Sequence, residues 1–261
     1  MHNFMTFVGK EFTETLRTKR LIILACVFAF VAFISPMMAR FMMEIITLAV
    51  PAEEMAEMMD MLAAIPDPHW SDSYGFFNQN MAQFGVFAII LLFMGAILDE
   101  KRRGTAALMM MKGLNHTRFV FAKFSVASLV IFITLVMAVL INHLYTYILF
   151  EEAAAFGDVM WGLLAYQLFA MFMLAITYFF STIAKSAPTA AIFSILAFMI
   201  LAIVSVMQNV GDASPYVMGA RSLELTLGFR HDWLIANILA SIGATIALLL
   251  VSIHILKKKE L

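Results

Sequence analysis

Histidine and the acidic residues are the side chains of this sequence that could support hydrolysis or metal binding. Six histidines occur, but none shows the His-Glu-x-x-His spacing that puts two zinc ligands on one face of a helix. The Glu-Glu pairs at 53–54 and 151–152 lack the arginine, four residues later, that is expected of membrane prenyl-protein proteases. Asp99-Glu100 ends an apolar run as in nucleotide-hydrolysis sites, yet the chain has no Gly-x-x-x-x-Gly-Lys-Ser/Thr phosphate loop. The sequence therefore predicts no catalytic, cofactor-binding or metal site in this chain.

Sulfur-containing side chains offer a second kind of chemistry, the binding of soft metal ions. Eight methionines lie between Met37 and Met61, with His69 nearby, and thioethers can hold Cu(I). Methionine is frequent throughout the chain, however, at 22 residues, so we interpret it as adaptable apolar filler and keep copper handling as an alternative. Cys26 is the single cysteine, which excludes a disulfide or a cysteine metal cluster within this chain.

A third group consists of polar side chains inside long apolar runs. Three of them, in the last run, recur every four residues and so share one helical face. We interpret the group first as interhelical hydrogen-bond contacts and second as the lining of a candidate substrate path. The residues assigned to that path are Asn142, Tyr145, Gln167, Asn237, Ser241 and Thr245. A membrane-embedded enzyme that uses His143 or the neighbouring tyrosine and asparagine residues is an open alternative.

The elements that carry these residues are apolar enough to lie in a membrane. Hydrophobic residues make up 63% of the 261 positions and charged residues 13%, whereas soluble domains carry about 25% charged residues. Six charge-free runs reach the ~20 residues that cross a bilayer, and their continuous apolarity favours helices over barrel strands. The predicted spans are 21–39, 78–98, 124–148, 159–183, 187–208 and 233–256. The expected fold class is all-α, a polytopic membrane protein with six transmembrane helices.

Lysine and arginine are distributed unevenly around these spans, and this distribution predicts the topology. Fourteen of the 17 basic residues lie on the side of the termini, whereas 13 of the 18 acidic residues lie on the other side. The positive-inside rule therefore predicts that both termini are cytoplasmic in the cell (plasma or inner) membrane of a prokaryote. No basic patch interleaved with stacking aromatic residues lies outside the spans, so nucleic acid is not an expected partner.

Two segments outside the spans have amphipathic patterns. In residues 1–20 the apolar side chains recur on one helical face, with Lys10 and Glu11 elsewhere around the helix. This pattern predicts an interfacial helix with its apolar side in lipid and its charges in water. The members of that face are Phe4, Val8, Phe12, Thr15 and Leu16. The predicted external loop, 40–72, contains a second amphipathic pattern after Pro51, which predicts a short helix on the outer surface.

The predicted cytoplasmic loop at 99–118 combines basic residues with an apolar run. Thr105 as a possible N-cap and Gly113 as a C-terminal cap predict a short helix between them. The run Leu108–Met111 is then an apolar surface in the cytoplasm, which indicates a binding partner or contact with lipid headgroups. An ordinary topology-determining loop would explain the basic residues but not the apolar run.

This loop resembles the cytoplasmic loop of the type-2 ATP-binding-cassette (ABC) transporter permease family. In that family a glutamate and basic residues precede Gly-Thr, then Leu-x-x-Leu-Leu and Pro-Val-Ser-Arg. The matching residues are Gly104, Thr105, Arg118 and Lys123. Asn115 stands where the proline is common, and His116-Thr117 replaces Val-Ser. The likeness extends to the layout of the whole chain, with its amphipathic N-terminal helix, six spans, long external loop and basic C-terminus.

The resemblance implies one permease domain over 1–261, in which the 99–118 loop carries a coupling helix that contacts a separate ATPase subunit. The residues assigned to that contact are Glu100, Arg102, Arg103, Gly104, Thr105, Leu108, Met109, Met111 and Arg118. It also implies two ATPase copies that bind ATP and Mg, and a second permease copy or a paralogue. The expected function is export of a hydrophobic or amphipathic drug, peptide or lipid, without enzymatic activity in this chain. The alternatives are a membrane-embedded enzyme, an immunity or anchor protein without transport, and a copper-related permease.

Overall fold

A computed structural model describes residues 2–49, 67–111, 113–205, 214–230 and 234–258 of the protein. This described part is almost entirely helical and contains no strand, which confirms the predicted all-α fold class. The short helix predicted after Pro51 falls outside the described residues.

The helices are numbered here in chain order. The first two are α1 (His2–Arg17) and α2 (Arg20–Ala49). The second membrane-crossing segment is divided into α3 (Trp70–Asn80), a π-helix (Met81–Gly85), α4 (Val86–Phe93) and α5 (Leu98–Arg102). The next helices are α6 (Thr105–Met111), α7 (His116–Phe150), α8 (Phe156–Ile183) and α9 (Ala187–Ser205). A 3₁₀ turn (Pro215–Val217) leads to α10 (Met218–Thr226) and α11 (Leu234–Lys258).

Six segments of the described chain are long and apolar enough to cross a membrane, as predicted. Their ends differ from the charge-free runs, because a helix continues through charged residues that lie at the level of water. Helical structure continues past Arg40 to Ala49, but it is kinked at Phe41, whose φ and ψ of −109° and 15° are not helical, close to the predicted end at residue 39. The second segment begins at Trp70, before the predicted residue 78. Both ends of the predicted external loop, 40–72, are therefore helical. A side-chain capping box of His69 with Asp72 starts the second segment.

Helix α8 lies at the centre of the bundle and packs against α4, α7, α9, α10 and α11. Its most apolar stretch is 72% buried, compared with 22% for α9 and for α11. The latter two helices therefore form the outer part of the bundle. Alanine and glycine in α8 permit this crowding, because small residues let helix backbones approach one another in a membrane.

Gly162 is the point of closest approach between α8 and α10. The Ser222 hydroxyl donates a hydrogen bond to the Gly162 carbonyl at 2.9 Å. A Cβ atom at position 162 would lie 2.7 Å from the Ser222 carbonyl oxygen and would collide with the Thr226 hydroxyl. Only glycine therefore allows this contact between the two helices.

Side chains from α8 also support two irregular places in the second segment. The Tyr166 hydroxyl donates to the Met81 carbonyl at 2.8 Å, at the start of the π-helix, where the regular helical pairing is interrupted. The Ser181 hydroxyl accepts from the backbone N–H groups of Ile97 and Leu98, each at 3.2 Å. The turn that directs α5 away from α4 is thus attached to the central helix.

Replacement of Gly162 by alanine is expected to lower the stability of the protein, because overpacking of a close helix contact costs about 1–3 kcal/mol. The matched control is Gly157→Ala on the same helix, where a Cβ atom meets nothing within 4 Å. Thermal unfolding of the purified proteins in detergent should show a lower melting temperature for G162A alone. Equal melting temperatures for the two variants would contradict the assigned α8–α10 contact.

Candidate functional site

Helix α6 occupies the segment for which a short helix was predicted, between Thr105 and Gly113. Gly104 and Gly113 flank it with φ angles of +70° and +86°, a backbone conformation that favours glycine. At its C-terminal end the Leu114 N–H donates to the Met109 carbonyl at 3.1 Å, as in a Schellman motif. The helix predicted between Thr105 and Gly113 is confirmed. Thr105 itself is the first helical residue and not the N-cap, because its hydroxyl lies against Glu100.

The apolar run of α6 is divided between two faces of the helix. Leu108 and Met111 are 55% and 76% exposed, whereas Met109 and Met110 pack against the apolar core. The prediction of one continuous apolar surface was therefore wrong for the two central methionines. Successive residues of a helix differ in direction by about 100°, so four consecutive side chains cannot share one face.

Beneath α6 lies a buried charge cluster, defined as Glu11, Glu100 and Lys123 together with Lys10, whose 47% exposed side chain lies at its edge. Lys123 is only 6% exposed. Its Nζ atom lies 2.7 Å from Oε2 of Glu11 and 3.2 Å from Oε1 of Glu100. These three residues belong to α7, α1 and α5 respectively, so one ammonium group links three separate elements of the chain.

Lys10 and Thr105 complete the surroundings of the two carboxylates. The Nζ atom of Lys10 lies 3.6 Å from Oε1 of Glu100 and 3.8 Å from Oε1 of Glu11. The Thr105 hydroxyl hydrogen-bonds the Glu100 carboxylate and is 3.1 Å from the Glu100 carbonyl oxygen. The cluster thus contains two positive and two negative charges, and Thr105 attaches the first turn of α6 to it.

Glu11 is the member of the cluster that burial affects most clearly. Burial raises the pKa of its carboxyl group, and the positive charge of Lys123 opposes that rise. One oxygen from each of Glu11, Glu14 and Glu100 lies within 4.8 Å of the others, a spacing that a cation could bridge. The ammonium groups of Lys10 and Lys123 already lie against these oxygens, and the arrangement is an ion-pair network.

The burial of Glu11 corrects the predicted orientation of α1. The sequence pattern placed Glu11 in water and Leu16 in the apolar face. In the structure Glu11 is only 6% exposed and shares a buried face with Phe7 and Thr15, whereas the exposure of Leu16, 45%, agrees with a residue assigned to lipid. Glu11 faces the bundle because its ion pair with Lys123 lies on that side of α1.

The position of Lys123 in the sequence could have revealed this cluster. We predicted that the third span begins at residue 124, which leaves Lys123 at the membrane edge. Helix α7 instead begins at His116, and Asn115 caps it by accepting a hydrogen bond from the backbone N–H of Thr117. Lys123 is therefore two turns inside an apolar helix, where a lysine requires a partner.

The central helix holds Lys123 in place as well. The Tyr178 hydroxyl donates to the Lys123 carbonyl at 3.1 Å, and Tyr178 also contacts the ring of Phe124 edge-on. The Lys123 ammonium lies 5.5 Å from the centre of the Phe119 ring, within the range of a cation–π interaction. The cluster is thus attached both to the elements at the membrane surface and to α8 in the bundle.

The nine residues assigned to ATPase contact occupy different environments. Those exposed are Arg102, Arg103, Gly104, Leu108, Met111 and Arg118. Thr105 and Met109 are half-buried, and Glu100 is buried in the charge cluster. The structure therefore separates an exposed set, which a partner could touch, from Glu100, which supports α6 from below.

The six candidate substrate-path residues do not line one common cavity in the described part of the chain. Gln167 and Thr245 line an open groove of about 530 Å³ between α7, α8 and α11. Asn142 borders a separate small cavity of about 20 Å³ further along α7. Tyr145 packs edge-on against Phe33. A role in substrate passage stays a prediction for all six.

Polar side chains in the membrane-crossing helices make hydrogen bonds within one helix and between helices. The Ser241 hydroxyl donates to the Asn237 carbonyl and the Thr245 hydroxyl to the Ser241 carbonyl, each at 2.8 Å. His143, the residue considered for a membrane-embedded enzyme, accepts or donates a hydrogen bond of 2.6 Å with the Tyr74 hydroxyl, joining α7 to α3. The His143–Tyr74 bond joins two helices, as the packing interpretation expects, whereas the Ser241 and Thr245 bonds lie within α11.

A match to a known protein family covers most of the chain. The family model described as ABC-2 family transporter protein matches residues 5–227. No curated protein matches the sequence. The match includes α1, α5, α6 and the start of α7, the elements that carry the charge cluster.

Replacement of Lys123 by methionine is expected to destabilise the protein by about 3–5 kcal/mol, because it leaves two buried carboxylates without their shared cation. The matched control is Lys10→Met, since the Lys10 side chain is 47% exposed and exposed ion pairs contribute about 1 kcal/mol or less. Thermal unfolding in detergent measures both effects. A K123M protein as stable as K10M would exclude the proposed structural role of the buried cation.

Proposed function

The chain belongs to the ABC-2 family of transporter proteins, and on that premise we propose that it is the membrane subunit of an ATP-driven exporter. ATP hydrolysis takes place on a separate subunit, which binds ATP and Mg. The observation that carries this proposal is α6, which exposes Leu108 and Met111 while Thr105 attaches it to the buried charge cluster. Family membership itself makes the chain a permease subunit of an ABC transporter in a membrane.

The exposed side of α6 has the composition of a protein-binding surface. Leu108 and Met111 are large apolar side chains on the outside, and the exposed Arg102 and Arg103 precede them. The two arginines indicate that α6 lies beyond the hydrocarbon of the membrane. Exposed apolar side chains at that level support a soluble partner, and methionine and arginine are enriched in such interfaces.

The charge cluster gives α6 a mechanical connection to the membrane helices. A force on α6 acts on Glu100 through Thr105, and Glu100 is paired with Lys123 of α7. Glu11 brings α1 into the same unit. We infer that α1, α5, α6 and the first turns of α7 move together when the ATPase closes, a rigid-body displacement that shifts the bundle between two states.

The proposal also covers the energy source of transport and the subunit composition of the exporter. Lysine and the acidic residues are absent from the predicted span centres, which disfavours a proton or sodium relay within this chain. The exporter contains two ATPase copies and a second permease, identical or paralogous, in the cell membrane of a prokaryote, with the termini in the cytoplasm. The largely apolar chain suits a hydrophobic or amphipathic cargo, such as a drug, peptide or lipid.

A double replacement, Leu108→Asp with Met111→Asp, is expected to abolish copurification of an ATPase subunit from native membranes. The charges remove the apolar contact, and both side chains are exposed, so membrane insertion and melting temperature should not change. Phe229→Asp is the control, because Phe229 is 60% exposed and follows α10, on the opposite side of the bundle from α6. Mass spectrometry of the detergent extract measures the partner. Full retention of the ATPase by the double variant would reject the assignment of α6.

A second test separates coupling from binding. Glu11→Gln weakens the link between α1 and Lys123 without touching the exposed side of α6, so the ATPase should still bind while its stimulation by the permease falls severalfold. Glu14→Gln is the control, because Glu14 is on the same helix but its side chain is 33% exposed and pairs only with Lys10 among the described residues. Steady-state ATP hydrolysis by the reconstituted complex distinguishes them. Unchanged stimulation in E11Q would count against transmission through the cluster.

A further inference from the structure

A groove runs along the membrane-facing surface of the bundle between α7, α8 and α11. Its volume is about 530 Å³ and its lining is mainly apolar. Leu129 of α7 and Ile246 of α11 are 48% and 44% exposed there, and Ser125 is exposed as well. We call this surface the side groove.

The side groove continues to the membrane surface on the side of α1. A second cavity of about 470 Å³ is lined by Phe4 and Met5 of α1 and by Thr117, Arg118 and Phe121 of α7. Phe121 borders both cavities, so the two adjoin at that side chain.

Along α7 the combined surface extends from Thr117 to Phe132. At about 1.5 Å per residue this is about 22 Å, compared with a hydrocarbon core about 30 Å thick. The surface is therefore long enough to follow an acyl chain from the headgroup level to the middle of the bilayer.

The end of this surface next to α1 carries positive charge. Arg118 is exposed and has no acidic partner among the described residues. Lys257, at the end of α11, lies within electrostatic reach of His116 in the first turn of α7. The acidic residues of α1, Glu11 and Glu14, are engaged by Lys10 and Lys123. Arg118, which has no acidic partner among the described residues, thus lies at the headgroup level, next to the end of the apolar groove.

We propose that this surface binds a phospholipid with an anionic headgroup, taken from the leaflet on the side of α1. The guanidinium of Arg118 contacts the phosphate through charge-assisted hydrogen bonds, and an acyl chain lies along Phe121, Ser125 and Leu129. A lipid of this leaflet places a negative charge and an apolar chain at the two required depths. The inference assigns Arg118 to a lipid headgroup instead of the ATPase contact predicted from the sequence, and it depends on the membrane-spanning fold and not on the proposed coupling of α6.

The test uses the full-length protein, purified in detergent and delipidated. Dioleoyl phosphatidylglycerol and dioleoyl phosphatidylcholine are added separately, and native mass spectrometry measures the bound lipid. The wild type should bind phosphatidylglycerol more tightly. Arg118→Gln should weaken that binding about fivefold, since a basic residue near an anionic surface contributes about 1 kcal/mol. Ser125→Trp should remove binding of both lipids, because the indole fills the groove.

Two variants serve as matched controls. Arg17→Gln removes another exposed basic residue from the same side of the membrane, and Leu140→Trp adds an indole to an exposed position of α7 outside the groove. Both should bind phosphatidylglycerol like the wild type. Equal affinity of the wild type for the two lipids, or equal loss in R118Q and R17Q, would overturn recognition of the anionic headgroup. If S125W retained its lipid but lost a dimer in size-exclusion chromatography with light scattering, the groove would instead be an interface between two copies.

Discussion

The buried ammonium group of Lys123 is the constraint on which the arrangement at the side of α1 depends. A charged group removed from water costs several kcal/mol unless close partners compensate, and Lys123 finds them in Glu11 and Glu100. Because these carboxylates come from α1 and α5, the cation keeps both elements against α7. The orientation of α1 and the attachment of α6 through Thr105 and Glu100 follow from this requirement, and Ser181 of α8 fixes the turn before α5 as well.

The remainder of the bundle is held by neutral contacts around α8. Tyr166 and Ser181 satisfy backbone groups where the second membrane segment departs from regular helix, and Gly162 lets α10 approach closely. Hydrogen bonds between membrane helices are individually worth about 1 kcal/mol, so packing of small residues contributes much of the stability. The molecule thus joins a closely packed interior to a charged unit at its surface, and Tyr178 connects the two through the Lys123 carbonyl.

This division of the structure suits a permease subunit of the ABC-2 family. The exposed side of α6 is suited to a soluble partner, and the charge cluster beneath it links α6 to the membrane helices. The proposed lipid surface lies beside the same unit, because α1 contributes Glu11 to the cluster and Phe4 and Met5 to the groove. Under these two proposals, an anionic lipid would contact the elements that transmit the movement, and the composition of the membrane could thereby affect coupling.

The sequence by itself determined the six membrane-crossing helices, because hydrocarbon excludes charge and charge-free runs of sufficient length are visible in composition alone. It also determined the short helix between Thr105 and Gly113, because the glycine cap at its C-terminal end is a local interaction, whereas the N-cap predicted at Thr105 was wrong because that hydroxyl lies against Glu100. Only the tertiary structure decided that Glu11 faces inward, that Met109 packs against the core and that Glu100 meets Lys123. These facts depend on contacts between residues distant in the chain, such as Glu11 and Lys123, whose charges local patterning had assigned to water and the membrane edge.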